Sequence, residues 1–415
     1  MAIVKPFRGL RPPKSVVKDL ACLPYDVMNS QEAAQMAQGI ACSLLHVTRA
    51  EIDCEPGVDI HSHEVYQKSV DNFSRFKQQG WLVQDDQPRF YIYAQTMNGR
   101  TQYGIVGGAA CSDYHNGIIK KHELTRPDKE EDRMVLTRYL KANIEPVFFS
   151  YKAVAEIDAI VNEVVANQPA DYEFVAEDGF GHQFWVINNA DKNREIEHLF
   201  ASKVPYTYVA DGHHRTAAAA RIGQECQAAN ANHTGDEDYN FFMAVHFPDN
   251  QLQIIDYNRV VKDLNGLSFD EFMKRLSSVM EIEDRGTDIY KPSVLHEFSM
   301  YINGRWYKLS AKKGTYNDND PIGILDVTVL SEHVLDKILG IEDLRRSTRI
   351  DFIGGIRGLG ELKRRVDSGE MAVAFALYPV SMKQLIDIAD SGNIMPPKTT
   401  WFEPKLRSGL VIKCF

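Results

Sequence analysis

The stretch Tyr206-Thr-Tyr-Val-Ala-Asp-Gly-His-His-Arg-Thr216, followed by four alanines, decides how this part of the chain folds. Aromatic and β-branched residues over 206–210 predict a strand, and the alanine-rich run over 216–222 predicts a helix that ends at Gly223. Gly212 lies between them and permits a tight turn with close backbone approach. Free N–H groups at a helix start bind anions. The stretch therefore predicts a strand–turn–helix anion site formed by Asp211, Gly212, His213, His214, Arg215 and Thr216.

The residue types in the first turn of this predicted helix strengthen the prediction. Two histidines and an arginine stand where positive charge opposes the helix dipole, so they cost stability unless an anion offsets them. A local conflict of this kind is typical of a functional site. Two alternatives stay open: a histidine-rich cap that packs on tyrosines, and a metal site that uses Asp211, His213 and His214. The metal site is the weaker one, because adjacent histidines point in different directions and no HExxH spacing is present.

A second candidate lies in Lys120-Lys-His-Glu-Leu-Thr-Arg-Pro127. The carboxylate of Glu123 is flanked by Lys121 and His122, and such a group suits a reaction centre that handles anions. The alternative is a solvated charged loop, which is what most charge runs are.

Two further segments are weaker candidates. In Pro397-Lys-Thr-Thr-Trp401 a lysine and two hydroxyls follow paired prolines, a combination that can bind phosphate or carboxylate. The glycine-rich segment 354–360 lacks both the GxGxxG and the Walker A pattern, and a tight strand-to-helix turn is its simpler interpretation. The substrate-binding candidates are accordingly Lys398, Thr399 and Thr400.

Length and composition bound the class of protein. The chain has 415 residues, with 57 acidic and 47 basic residues and a net charge of −10, which argues against general nucleic-acid binding. Six cysteines without CxxC spacing do not form a disulfide scaffold. We see no apolar run of membrane-spanning length and no signal peptide, so the expectation is a cytoplasmic protein without a membrane partner.

The pattern of predicted elements favours an α+β, or mixed α/β, fold. Strands over 89–95 and 101–106 are joined by the hairpin turn Asn98-Gly99, and a helix is predicted over 269–279. Strands and helices mix without regular βαβ alternation. A composition break at Pro248-Asp-Asn250 predicts two domains, residues 1–250 and 251–415.

The residues 211–215, placed after a strand and before a helix, resemble the phosphate-binding motif of the ParB/sulfiredoxin-like superfamily. The closest resemblance is to the archaeal free-serine kinase, in three places that occur in the same order: 121–124, 208–215 and 370–400. The whole chain also resembles a long, mostly uncharacterised bacterial domain-of-unknown-function family, with its Pro6-Phe-Arg-Gly-Leu-Arg-Pro12 opening, Pro24-Tyr-Asp26 and Lys-Thr-Thr tail. This chain is much longer than the kinase and has additional sequence around the three motifs.

The resemblance implies a ParB/sulfiredoxin-like core with large insertions over 1–250, and a second, C-terminal α+β domain that contributes the Lys398–Thr400 loop. It implies a kinase that uses ADP or ATP with Mg²⁺ to phosphorylate a small-molecule hydroxyl, most simply that of free L-serine. Glu123 would be the catalytic base. Lys121 and His122 would flank the phosphates that residues 211–216 bind, and Asp211 would be the leading catalytic and Mg²⁺ carboxylate.

Other functions remain as alternatives. A non-catalytic, ParB-like nucleotide sensor needs the phosphate motif but not Glu123, and a nucleotide hydrolase could use the same scaffold. Sulfiredoxin chemistry is excluded because His213 occupies the place of the required cysteine. DNA clamping is not expected of an acidic chain without a helix-turn-helix. The expected partners are a nucleotide and a small molecule; the sequence leaves the oligomeric state open.

Overall fold

The computed structural model describes all residues from 1 to 415. The strands are β1 (Val4–Lys5), β2 (Gly9–Arg11), β3 (Val83–Gln84), β4 (Tyr91–Met97), β5 (Arg100–Ala110), β6 (Ile119–Lys120), β7 (Ala142–Asn143), β8 (Val147–Tyr151), β9 (Tyr172–Val175), β10 (Gly181–Val186), β11 (Thr207–Asp211), β12 (Phe241–Pro248), β13 (Ile254–Ile255), β14 (Tyr257–Val261), β15 (Met280–Gly286), β16 (Glu297–Ile302), β17 (Arg305–Ala311), β18 (Ile350–Gly354), β19 (Val373–Leu377), β20 (Trp401–Phe402) and β21 (Ile412–Cys414).

The helices are α1 (Val17–Leu20), α2 (Ser30–Ala37), α3 (Leu45–Thr48), α4 (His63–Gln78), α5 (Cys111–His115), α6 (Pro127–Leu140), α7 (Ala155–Asn167), α8 (Ala190–Lys203), α9 (His213–Ala229), α10 (Phe269–Val279), α11 (Asp326–Leu330), α12 (Gly358–Asp367) and α13 (Met382–Asp390). The predicted mixture of helices and strands is confirmed. No helix combines the length and the apolar character that a membrane crossing needs.

The chain forms two compact units, Met1–Leu252 with Pro404–Phe415, and Gln253–Glu403. This division departs from the predicted ranges at the C-terminal end. The last strand, β21, pairs with β2 and β7, so residues 404–415 belong with the first unit. Pairing between segments so far apart in sequence leaves no local pattern that could predict it.

The first unit is organised around a nine-stranded sheet in the order β6-β11-β8-β12-β5-β4-β10-β9, with β1 added on β5. One core cluster includes Ile157 of α7, Ile196 of α8 and strand residues such as Ile92. Another includes Ala220 of α9 with Phe149 and other strand residues. These clusters bury apolar side chains of β4, β8 and their neighbours beneath the helices, which fixes α9 against the sheet.

The second unit contains a six-stranded antiparallel sheet in the order β15-β17-β16-β19-β14-β18. Helix α12 covers it through Leu359 and Leu362, which pack in one core cluster with Trp306 and Val260. The short strands β13 and β20 form a separate pair. This unit holds both the glycine-rich segment 354–360 and the Lys398–Thr400 loop.

The decisive helix is longer than predicted at both ends. The strand prediction over 206–210 agrees with β11, but α9 begins at His213 and continues to Ala229, so the predicted end at Gly223 is wrong. A Cβ atom at Gly223 would lie 2.6 Å from the Cys111 sulfur and 2.9 Å from the Tyr239 carbonyl oxygen. Glycine at this position therefore permits close packing of α9 on its neighbours and does not end the helix.

Candidate functional site

The site is built at the carboxyl end of β11, where the chain turns at Gly212 into α9. Gly212 has φ 91° and ψ 36°, a left-handed conformation that costs glycine little. The main-chain N–H and the hydroxyl of Thr216 both donate to the Gly212 carbonyl, each over 2.9 Å. No side chain caps the helix start. The first-turn amides thus keep their capacity to bind an anionic ligand.

Arg215 is a buried structural residue, with 7% of its surface exposed. Its Nη2 donates to Asp211 Oδ2 over 2.9 Å, and its Nη1 donates to the Pro146 carbonyl over 2.6 Å. The antiparallel register of β8 with β11 places Phe148 opposite Asp211, which brings Pro146 to this end of the sheet. The sequence predicted that Arg215 would face a ligand at the helix start. In the structure its hydrogen bonds link α9 to the end of β11 and to the segment before β8.

Asp211 has a second cationic partner in Lys405, whose Nζ lies 3.3 Å from Asp211 Oδ1. Burial by itself would raise the pKa of Asp211, but Lys405 and Arg215 outweigh it and hold that pKa below its usual range. Asp211 is therefore ionised at neutral pH, and each of its carboxylate oxygens already accepts from a cation.

Glu123 reaches the same place through strand pairing. Because β6 runs parallel to β11, with Lys120 opposite Tyr208, the segment after β6 leaves the sheet beside Asp211. Glu123 Oε2 lies 3.9 Å from His213 Nδ1, and its side chain is 39% exposed. The site thus combines a carboxylate open to solvent with an uncapped helix start.

The histidines of the site are held in different ways. His122 and His213 are buried, with ring centroids 4.5 Å apart and planes nearly perpendicular. Burial lowers the pKa of His122 to about 4 and lowers the pKa of His213 well below its usual value. Both rings are therefore neutral at neutral pH, and the expected conflict between histidine charge and the helix dipole is small. His214 Nε2 accepts from the Arg126 N–H over 3.0 Å, which ties the Glu123 segment to α9.

The two lysines before Glu123 lie against tyrosine rings. Lys121 Nζ is 4.4 Å from the centroid of Tyr114, and Lys120 Nζ is 4.4 Å from that of Tyr206. Lys121 is exposed and Lys120 is partly exposed. Lys121 contributes positive potential beside the buried histidines. Burial and His122 are larger causes of the low pKa of His213, and Lys121 lowers that pKa further.

Three charged residues around Arg215 and Asp211 were not among the candidate site residues predicted from the sequence. Besides Lys405, they are Asp26, whose Oδ2 lies 4.0 Å from Arg215 Nη2, and the buried Glu145. Burial raises the pKa of Glu145 against the effect of Arg215 and Arg133. Asp26 stands in the quoted Pro24-Tyr-Asp26 segment, the only signal that pointed to it. Nothing local marks Glu145 or Lys405.

The predicted substrate-binding loop belongs to the second unit. Lys398 has φ 59°, and its carbonyl accepts from Arg259 Nη2 over 2.9 Å. Thr399 is buried and its hydroxyl donates to the Pro396 carbonyl. In the glycine-rich segment, a Cβ atom at Gly354 would come within 2.8 Å of the Trp401 ring, so packing explains this glycine. The substrate role of Lys398, Thr399 and Thr400 stays a prediction.

The donor groups do not form a protein-only magnesium site. No cluster of three His, Cys, Asp or Glu side chains in residues 1–415 is arranged to hold a metal ion. Both oxygens of Asp211 are engaged by Lys405 and Arg215. The assignment of Asp211 to Mg²⁺ stays a prediction with little geometric support.

The chain belongs to the family described as a protein of unknown function, DUF1015, whose match covers residues 4–328. The expected membership of a family of unknown function is thereby confirmed. No curated protein matches the sequence.

Solved structures resemble the chain at low identity. A mutant free serine kinase in complex with AMP is 11% identical, covers 74% of this chain and 92% of its own, and has a TM-score of 0.36. A conserved hypothetical protein from Pyrococcus furiosus is 12% identical, covers 74% and 95%, and scores 0.34. SbnI with a C-terminal truncation, from Staphylococcus aureus, is 10% identical, covers 74% and 87%, and scores 0.36. The free serine kinase, expected from the motifs, is thus among the structures that the chain resembles.

Proposed function

We propose that the protein is a nucleotide-dependent kinase that phosphorylates the hydroxyl of a small molecule, with free L-serine as the first acceptor to test. One observation carries the proposal: the carboxylate of Glu123 lies 3.9 Å from His213 at the uncapped start of α9. A proton acceptor and an anion-binding helix end then share one place. Phosphoryl transfer needs both, because it depends on positioning and charge neutralisation more than on covalent chemistry.

The helix start would bind the terminal phosphates of the nucleotide. The amides of residues 213–215 and the positive end of the α9 dipole face the ligand, and Gly212 adds no side chain that would block it. Lys405 and Arg215 are partly neutralised by Asp211, so they set the geometry of this turn as well as its potential. Lys121 supplies an exposed positive charge next to it.

Glu123 would act as the general base. It is exposed enough to meet an acceptor hydroxyl, and the neutral ring of His213 lies beside it, with Nδ1 3.9 Å from Oε2. The acceptor oxygen forms a bond to the terminal phosphorus, and the bond from that phosphorus to the bridging oxygen breaks. The acceptor proton goes to Glu123, and the nucleotide leaves with one phosphate fewer. His122, which is buried, packs edge-to-face against His213.

Magnesium would arrive bound to the nucleotide. Mg²⁺ keeps several waters and needs only one or two carboxylates beside substrate phosphates, so a pre-formed cage is not required. When bound there it neutralises phosphate charge. The resembling free serine kinase structures are complexes with AMP and with ADP, so both ADP and ATP belong in the test.

Incubation of the protein with ATP or ADP, Mg²⁺ and L-serine tests the proposal, with O-phosphoserine measured by mass spectrometry. We expect product with at least one nucleotide. Nucleotide binding without turnover would favour the sensor, and loss of nucleotide without a phosphorylated acceptor would favour the hydrolase. Phosphorylation of another hydroxyl compound but not of L-serine would retain the kinase and replace the acceptor.

A further inference from the structure

We propose that Asp26 binds the ammonium group of the acceptor and thereby selects amino acids and related amines over other hydroxyl compounds. This inference rests on the proposed function. It adds to the site a residue from the N-terminal segment, far in sequence from 121–126 and 211–216.

Asp26 is held firmly although it lies in a short 3₁₀ turn, Tyr25–Val27. The N–H of the preceding Tyr25 donates to Glu145 Oε1 over 2.9 Å. The Tyr25 ring packs under the guanidinium of Arg133, 3.7 Å from the ring centroid, and Tyr25 is buried. The backbone at Asp26 is thus anchored on one side by a buried network, and its side chain extends from that anchor toward α9.

No cation lies within hydrogen-bond distance of the Asp26 carboxylate. Its nearest cation is Arg215 Nη2, at 4.0 Å, and that nitrogen has a closer partner in Asp211 at 2.9 Å. The Asp26 side chain is 44% exposed. Unlike Asp211, whose two oxygens both accept from cations, Asp26 can still accept hydrogen bonds from a cationic ligand.

Asp26 faces the same helix start as Glu123. Asp26 Oδ2 lies 4.0 Å from Nη2 of Arg215, a residue in the first turn of α9. Asp26 therefore lies beside Arg215, while Glu123 lies next to His213. A ligand bound over this turn can give its hydroxyl proton to Glu123 and place a positively charged group beside Asp26.

An alkylammonium fits this carboxylate better than a guanidinium or a neutral group. It is compact, carries a full charge and offers three donors, so it can bridge Asp26 and waters without displacing Arg215. A hydrogen bond to a charged group is worth more than a neutral one, and its loss weakens binding by about 10- to 100-fold. A neutral or purely anionic acceptor would gain nothing from Asp26.

The test compares Asp26→Asn with the unaltered protein on L-serine, on ethanolamine, which keeps the ammonium group, and on glycerate, which lacks it. We expect the ratio of kcat/KM for L-serine to that for glycerate to fall about 10- to 100-fold, mainly through KM. The kcat/KM for ethanolamine should fall by the same factor as that for L-serine. Asp19→Asn, an exposed aspartate of the same N-terminal segment, is the matched control and should leave the ratio unchanged.

Equal losses on L-serine and glycerate would overturn the inference, and so would weaker Mg²⁺–nucleotide binding in Asp26→Asn, which would indicate a metal ligand. Thermal melting of the variant separates these outcomes from loss of fold. Calorimetric binding of L-serine, L-threonine and ethanolamine to both proteins needs no turnover. Binding that Asp26→Asn abolishes supports the ammonium site even if no kinase activity is found. Absence of binding of all three amines to the unaltered protein would reject it.

Discussion

At the scale of single residues, the structure separates groups that can meet a ligand from groups that hold the turn. Glu123 is partly exposed next to His213, whereas Arg215 is buried between Asp211 and the Pro146 carbonyl. The sequence predicted a catalytic role for Glu123 and phosphate binding for Arg215, because a charged residue at a helix start is normally solvated. The two therefore predict different mutant phenotypes.

Replacing Glu123 with Gln keeps the size and the hydrogen bonding of the side chain but removes the proton acceptor. We expect turnover to fall roughly 10²- to 10⁴-fold, the usual contribution of a positioned base. Nucleotide affinity should change little, because the phosphates bind at the helix start. Single-turnover kinetics and calorimetry measure the two effects. Glu64→Gln, on the exposed face of α4, is the control, and full activity of Glu123→Gln would exclude Glu123 as the base.

Replacing Arg215 with Ala should destabilise the fold by about 3 kcal/mol, since it removes one partner of a buried pair and strands the Pro146 carbonyl. A charged residue at a helix start is normally solvated, but Arg215 is buried. Urea unfolding measures the change. Arg138→Ala is the matched control, because its partners Glu131 and Glu225 are exposed and such pairs contribute about 0.2–1 kcal/mol. If Arg215→Ala lowers the free energy of unfolding no more than Arg138→Ala does, the buried contacts of Arg215 do not stabilise the fold.

At the scale of the element, α9 shows why a glycine is an ambiguous signal. In a sequence, Gly223 after an alanine-rich run predicts a helix end. In the structure the same residue lies inside the helix, where Cys111 and the Tyr239 carbonyl approach it too closely for a side chain. The close neighbours explain why this position is glycine. The intrinsic cost of glycine inside a helix, about 1 kcal/mol, is offset by the packing of α9 on these neighbours.

The pair Gly223→Ala and Gly360→Ala tests this interpretation. Alanine normally stabilises a helix interior relative to glycine by about 0.4–1 kcal/mol. At Gly360, in α12, a Cβ atom meets nothing within 4 Å, so we expect that gain. At Gly223 the Cβ would overlap Cys111 and the main chain, and we expect a loss of about 1–3 kcal/mol. Denaturant unfolding of both variants decides the matter, and two gains of equal size would contradict the packing argument.

At the scale of the whole molecule, the first unit buries several histidines in neutral form. Burial lowers the pKa of His122 to about 4 and that of His182 and His246 to about 3. In the unfolded chain an imidazole has a pKa of about 6.5, so between pH 6.5 and the folded values the unfolded state binds more protons. Stability is then complete above pH 6.5 and is lost as the pH falls. His246, fully buried against Phe149 and Phe200, is the clearest case.

His246→Phe should therefore flatten the pH dependence of stability. Between pH 7 and pH 5, His246 alone should cost the native protein about 2 kcal/mol, and the variant should lose that much less over the same interval. Urea unfolding at both pH values measures the difference. His198→Gln, an exposed histidine of α8, is the control and should leave the pH dependence as it is. An unchanged slope in His246→Phe would mean that its imidazole is protonated or hydrated in the folded state.

Much of the local structure is determined by the sequence itself. The strand–turn–helix over 207–222, the α10 helix over 269–279 and the hairpin at Asn98-Gly99, with φ 52° and 76°, depend on residues a few positions apart, whose propensities act without the rest of the chain. The mixed fold class follows from the same patterns. The roles of the candidate site residues stay predictions.

Only the tertiary structure decided which groups meet. Parallel pairing of β6 with β11 brings Glu123 to His213, and the return of the C-terminal segment to the first unit brings Lys405 to Asp211. The anchor formed by Glu145 and Arg133 directs Asp26 toward Arg215. These contacts join residues dozens to hundreds of positions apart. Their free energy comes from burial and strand pairing summed over the whole unit, and no short stretch of sequence encodes that sum.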